Sequence, residues 1–221
     1  MPKNSESKPL FADHTDAAEQ LIEALPMEEW RQRDMVVVAV SPEGIDIAAT
    51  IAHRLEAPLD WIISEPVPAP NNPQQPIARV SETQTLVIDR ALVEAFGIDE
   101  DYVYTEAQRI YDETILSCVY RCREGQSFTA VTDRVVLLVD ESAETGATAL
   151  VAIRSMLEQG AKNVYLAVPV IEETMCAHLT PACDGIYCAH RIRDYVWVDY
   201  YFGERTLPDT ETIKRILLPH E

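Results

Sequence analysis

Two adjacent acids, Asp140 and Glu141, end a run of five apolar residues in "VVLLVDESAETGATALVAI" (135–153). Ser142, Ala143, Glu144, Thr145, Gly146, Ala147 and Thr148 follow, and then apolar residues at helical spacing. Carboxylates accept hydrogen bonds from hydroxyls or ligate hard cations, while Thr145 and Thr148 offer hydroxyl donors. Gly146 lets backbone approach a ligand closely. A loop that opens a helix also presents free N–H groups and a positive dipole end, which together bind an anion. This set suits a ligand carrying both a phosphate and hydroxyls, with a divalent metal as an optional third party. A plain helix cap after a strand uses the same residue types, so both readings stand on these residues alone.

Such a loop works only if a rigid frame holds it. Met35–Val40 is a continuous apolar run of strand type, followed by "SPEG" and by Ile47, Ile51 and Leu55 at helical spacing. "PLDWIIS" (58–64) predicts a second strand. Glu65–Pro76 predicts a proline-rich loop, and Ile77–Arg90 a hairpin outside the main sheet. Residues 98–125 predict one long helix, with Asp99 as N-cap and Gly125 as its end. The second half repeats the rhythm: strand 134–139, helix 147–159 stopped by Gly160, strand 163–170, short helix 172–180, strand 185–190. Continuous apolar strands alternating with helices predict an α/β, doubly wound, mainly parallel sheet flanked by helices. The expected organisation is one domain over 1–221, with a helical preface at 1–34 and a hood-and-helix insertion at 65–125. In such sheets ligands sit beyond the carboxyl ends of the strands, where Asp140 and Glu141 stand.

The bulk properties narrow the partners. With 221 residues the chain can bury about 70% of its unfolded surface. A formal net charge of −19 without a basic stripe disfavours nucleic acid. No apolar run approaches a membrane span, and "MPKNSESKPL" has no signal-peptide core, so a soluble, cytoplasmic protein is expected. Five cysteines cannot all pair, and the spacing of Cys118, Cys122, Cys183, Cys188 and His190 fits no familiar zinc pattern, so reduced thiols are expected. The phosphate-loop, dinucleotide, nucleophile-elbow and zincin motifs are all absent.

A hydrophobic strand, two acids and Thr-Gly-x-Thr, in "VVLLVDESAETGAT", resemble the signature of the type I phosphoribosyltransferases. The resemblance runs through most of the chain and is nearest to a poorly characterised bacterial branch, in "FADHTDAAEQLIEAL", "GIDEDYVYTEAQRI" and "VDYYFGERTLPDTETIKRIL". It implies that Asp140 and Glu141 bind the ribose hydroxyls of phosphoribosyl pyrophosphate (PRPP), and that Ser142–Thr148 hold its 5′-phosphate. Glu144 is implied as a general base, although an acid at a helix start also favours the dipole. Mg²⁺ is implied as cofactor through PRPP, with Asp140 and Glu141 as its nearest carboxylates, and a homo-oligomer is compatible with the architecture. The pyrophosphate would meet Ser41, Pro42, Glu43 and Gly44.

There the chain departs from the branch, which has Pro-Arg-Gly-Gly in that loop and two basic residues where this chain has Ser64-Glu65. Each lost charge-assisted hydrogen bond is worth roughly 1.5–3 kcal/mol. Arg79, Arg191 and Arg193 are candidate replacement cations, and Tyr195 or Trp197 a candidate base-stacking ring. Surface solvation and core packing are the alternative roles of these five. Two functions follow: phosphoribosyl transfer from PRPP to a nitrogen base, or a non-catalytic sensor or scaffold that keeps the phosphate cradle.

Overall fold

The computed structural model describes residues 9–218. In chain order these form α1 (His14–Glu23), α2 (Met27–Trp30), β1 (Met35–Ala39), α3 (Ile45–Leu55), β2 (Leu59–Trp61), β3 (Ser64–Ala69), β4 (Asn72–Ser81) and β5 (Leu86–Ile88). Then come α4 (Arg90–Ala95), α5 (Glu100–Ile110), α6 (Leu116–Arg123), β6 (Val135–Val139), β7 (Ser142–Ala143), α7 (Ala147–Glu158), β8 (Asn163–Glu172), α8 (Glu173–Leu179), β9 (Gly185–Ile192) and α9 (Thr210–Leu217).

β1 and β6 are buried at every position, as their unbroken apolar runs require. They pair in parallel (Met35 with Val135, Ala39 with Val139), β2 lies outside β1, and β8 lies outside β6. β9 adds in parallel to the far side of β8. The two-residue β7 resumes the line of β6 against Val170 and Ile171, in the register that pairs Val139 with Ala167. The strand is thus interrupted only at Asp140 and Glu141. Chain order reverses between β1 and β6, which makes their carboxyl ends the switch point of the sheet.

Alternate strand residues serve two cores. Val37, Ala39, Leu137 and Val139 pack with Ala17, Leu21, Ile47 and Ile51 of α1 and α3. Val36, Val38, Val136 and Leu138 pack with Ala152, Ile153 and Met156 of α7 and with Cys176 and Leu179 of α8. Both faces are therefore covered, and the expected doubly wound α/β frame is present. Among the described residues no helix is long and apolar enough to cross a membrane.

The proline-rich segment differs from the expected loop. It forms β3 and the start of β4, antiparallel, turning at Pro70 and Asn71. Pro66 and Pro68 are tolerated because β3 is an edge strand and the register slips between Val67 and Ala69, while Pro73 and Pro76 lie on the start of β4, before the stretch Ala78–Val80 that pairs with β5. β5 completes this second, three-stranded sheet, which stands outside the main one. The expected long helix is present without a break from Glu100 to Arg123, α5 continuing into α6 through one π-helical turn over Tyr111–Ile115. Asp99 does cap α5, its carboxylate accepting from the Asp101 N–H at 2.9 Å. The first eight residues of the expected helical preface lie outside the described residues.

Candidate functional site

The loops that follow β1 and β6 press against one another. A Cβ on Gly44 would lie 2.8 Å from Cα of Asp140 and 3.1 Å from the Glu141 nitrogen, so only glycine permits this approach. The Ser41 hydroxyl donates to Oδ1 of Asp140, which also accepts the Glu141 N–H at 2.9 Å. The Gly44 N–H donates to Ser41 Oγ at 3.2 Å. Gly146 takes φ +69° to start α7, and a side chain there would strike Met175 Sδ at 2.6 Å. These constraints put the first turn of α7, whose N–H groups the helix itself leaves unpaired, at the rim of a cleft of about 250 Å³.

Ser41, Glu43, Asp140, Glu141 and Ser142 through Gly146, with Thr148, line that cleft. The structure thus brings together both loops singled out by sequence. Pro42 and Ala147 belong to the same loops without lining the cleft, and Gly44 forms its buried seam. The cleft also takes Val198 and Arg205 from the C-terminal segment, neither of which the sequence reading selected.

Four acids and one arginine make the electrostatics unusual. Burial pushes Asp140 up to about 7, against its hydrogen bonds from Ser41 and Glu141, and the nearby charges of Glu43 and Glu141 add to the rise. Glu141 has a different fate. Arg205 grips it with both prongs, Nε to Oε1 at 2.6 Å and Nη2 to Oε2 at 2.5 Å, while His14 Nε2 lies 2.7 Å from Oε1. Arg205 also pairs with Asp199. His14 itself is buried, its Nδ1 lacks a hydrogen-bond partner, and Asp46 lies 4.0 Å from that nitrogen.

The stretch that carries Arg205 is stitched down on both sides. Phe11 N–H donates to the Tyr201 carbonyl at 2.9 Å and Gly203 N–H to the Phe11 carbonyl at 2.8 Å. On the cleft side, Oε1 of Glu144 accepts from the Val198 N–H at 3.0 Å and the Tyr195 hydroxyl at 3.2 Å. Burial raises the Tyr195 phenol further above its ordinary range. Glu144 is therefore anchored to the C-terminal segment. No local pattern announces the Glu141 contacts: His14 is 127 residues away and Arg205 64. The usable signal was composition, since Arg205 is the one basic residue between Arg193 and Lys214.

The candidate replacement cations separate. Arg191 and Arg193, like Arg79, do not line the cleft. The first donates to Cys188 Sγ at 3.4 Å and the second pairs with Glu173 at 3.3 Å, both exposed. Arg79 is half-buried, with Nη1 on the carbonyl and hydroxyl of Ser64 at 3.0 and 3.2 Å. Trp197 is exposed and meets Tyr200 edge-on, and Tyr195 leans on Tyr201. All five cysteines are free, and Cys118 and Cys122 stand 3.8 Å apart, sulfur to sulfur. Among the described residues, no three His, Cys, Asp or Glu side chains are grouped to hold a metal.

Known proteins carry the same frame. Residues 6–182 match the family model described as a phosphoribosyl transferase domain. Two Mycobacterium tuberculosis proteins, provisionally named phosphoribosyl transferases, are each 27% identical over 179 residues, which is 81% of this chain. The chain spans only 40% of the length of those relatives. The crystal structure of TT1426 from Thermus thermophilus superposes with a TM-score of 0.78 at 27% identity, over 94% of this chain and 97% of that one. With the family model covering well over half of its length, this chain belongs to the phosphoribosyl transferase domain family.

Proposed function

We propose that the chain binds PRPP at this cleft and transfers its phosphoribosyl group to a nitrogen base. One observation carries the reading: at the switch point, the Asp140–Glu141 strand end, the Ser142–Thr148 loop and the start of α7 converge on a single cleft. The 5′-phosphate would lie on the loop and helix N-terminus, with Thr145 and Thr148 donating. Asp140 would accept from a ribose hydroxyl. In the transfer, the bond from the anomeric carbon to the pyrophosphate oxygen breaks, and its electron pair leaves with pyrophosphate. The lone pair of the base forms the new C–N bond, and its surplus proton passes to Glu144 or to water.

The acids fit Mg²⁺ by donor type, because Asp140 and Glu43 are hard oxygen donors that, among the described residues, form no salt bridge with an arginine. They do not form a cage by themselves, so phosphate and hydroxyl oxygens of the ligand would supply the remaining coordination. When bound, Mg²⁺ neutralises the pyrophosphate charge that Glu43 otherwise repels.

A second reading has its own support. Glu43 in the pyrophosphate loop, and a Glu141 already committed to Arg205 and His14, suit a sensor or scaffold that holds a mononucleotide without turnover. Pyrophosphate release from PRPP and Mg²⁺ separates the two, measured with a panel of purine and pyrimidine bases. Release that depends on one base supports the transferase. Binding of PRPP without release for any base supports the sensor.

A further inference from the structure

The loops after β1 and β2 carry no cation where a pyrophosphate would lie, yet β4 delivers one to the same end of the sheet. β4 runs antiparallel to β3, with Arg79 opposite Pro66 and Ser81 opposite Ser64. From that register the Arg79 side chain reaches back along β3 and rests on Ser64, the first residue of the strand that follows β2. Among the described residues its hydrogen bonds go to Ser64 alone and it makes no salt bridge. That is anomalous in a chain of net charge −19, where a half-buried guanidinium would ordinarily find a carboxylate. Compare Arg205, whose nitrogens are all committed to Glu141 and Asp199.

We infer that Arg79 is the pyrophosphate-binding residue of this chain, a guanidinium carried in by the second sheet and seated on Ser64 in place of the missing basic residues. The inference rests on the PRPP reading above. Two further facts fit. Burial lowers the basicity of Arg79, and the charges of Glu65 and of Asp140, which lines the cleft, oppose that lowering. Arg79 does not itself line the cleft, but Asp140, which does, is near enough for its charge to act on the guanidinium. Arginine also suits the task chemically, because Nη1 can stay on Ser64 while Nε and Nη2 remain as a fork for phosphate oxygens. Ser64, which looks like a lost basic residue in the sequence, becomes the seat that aims a basic residue from elsewhere.

The test is calorimetric titration of wild type, Arg79→Gln, Arg79→Lys and Ser64→Ala with three probes: magnesium pyrophosphate, PRPP with Mg²⁺, and AMP. The 5′-phosphate of AMP belongs to the α7 loop and its affinity should stay level in every variant. Arg79→Gln should weaken pyrophosphate and PRPP about 10- to 100-fold, the value of one charge-assisted contact. Arg79→Lys should recover part of that loss, and Ser64→Ala should lose less than Arg79→Gln. Unchanged pyrophosphate and PRPP affinity in Arg79→Gln would overturn the assignment and leave the PRPP reading standing. An equal loss for AMP would also overturn it, by showing a structural role. Wild-type protein that binds none of the three would remove the PRPP reading and this inference together.

Discussion

Arg123 and Arg205 each sit between two carboxylates, and their surroundings make them different devices. Arg123, only 3% exposed, bonds Asp60 through Nη1 at 2.9 Å and Glu82 through Nη2. Those acids are also saturated by backbone: Trp61 and Thr129 donate to Asp60 at 2.8 and 2.7 Å, and Ile63 to Glu82 at 2.8 Å. The cluster ties the end of α6 to β2 and to the turn before β5, with Phe128 under the guanidinium. Arg205 is 21% exposed and bridges a buried Glu141 to a largely exposed Asp199, and it borders the cleft. A closed cluster of this kind fixes a fold. An open one holds an acid at the wall of a cleft.

Arg123→Leu should have the largest effect, because it strands two buried carboxylates. A loss of about 3–5 kcal/mol is expected, read as a lower urea midpoint with unchanged slope. Loss of less than a surface mutation's effect would mean that the acids simply take up protons.

Asp140→Asn comes next and should act in the opposite direction. The folded value of Asp140 is raised from 3.8 to about 7, so the stability it brings is full below about pH 4 and is lost as pH rises through 7. Above pH 7 the asparagine variant should therefore be more stable than wild type, by at most about 4 kcal/mol for a three-unit shift. Melting curves at pH 5 and pH 8 check this, and the advantage should shrink at the lower pH. The same variant should lose PRPP binding, a trade of stability against function at one residue.

Gly44→Ala should cost about 1–3 kcal/mol, because the new methyl meets the Asp140 backbone and no flexible side chain can give way. It should also weaken ligand affinity, since the displaced Asp140 and Glu141 backbone borders the cleft. Arg205→Gln should be the mildest for the fold, about 1 kcal/mol after solvent screening of a partly exposed pair. Its mark should be on ligand affinity. A stability loss as large as that of Arg123→Leu would erase the contrast between closed and open clusters.

The frame was legible in the sequence wherever one residue's neighbours decide its state. Apolar runs such as 135–139 gave strands on sight, Asp99 was a readable cap, and Gly160 at φ +80° was a readable stop. The prolines of 65–76 misled because strand residues paired on one side only, in β3 and at the start of β4 before β5 joins, tolerate what a fully paired strand cannot, and which residues are so placed is decided by the rest of the sheet. The π turn at 111–115 sits in sequence with unbroken helical character, so nothing local marks it. At the site, the loops on β1 and β6 were visible as strand ends. The control of Glu141 by His14 and Arg205, and the seating of Arg79 on Ser64, come from elements brought together only by folding. Chemistry borne by one loop can be read from sequence; charge compensation between elements cannot.

In the proposed function the Ser142–Thr148 loop holds the phosphate of a phosphoribosyl ligand. Calorimetric titration of the wild type and of Thr145→Ala with PRPP plus Mg²⁺ tests it most directly. The expected result is micromolar binding that Thr145→Ala weakens by about tenfold, the worth of one hydroxyl bond to a phosphate. Wild-type protein without PRPP binding, or a Thr145→Ala variant that binds as tightly as wild type, would contradict it.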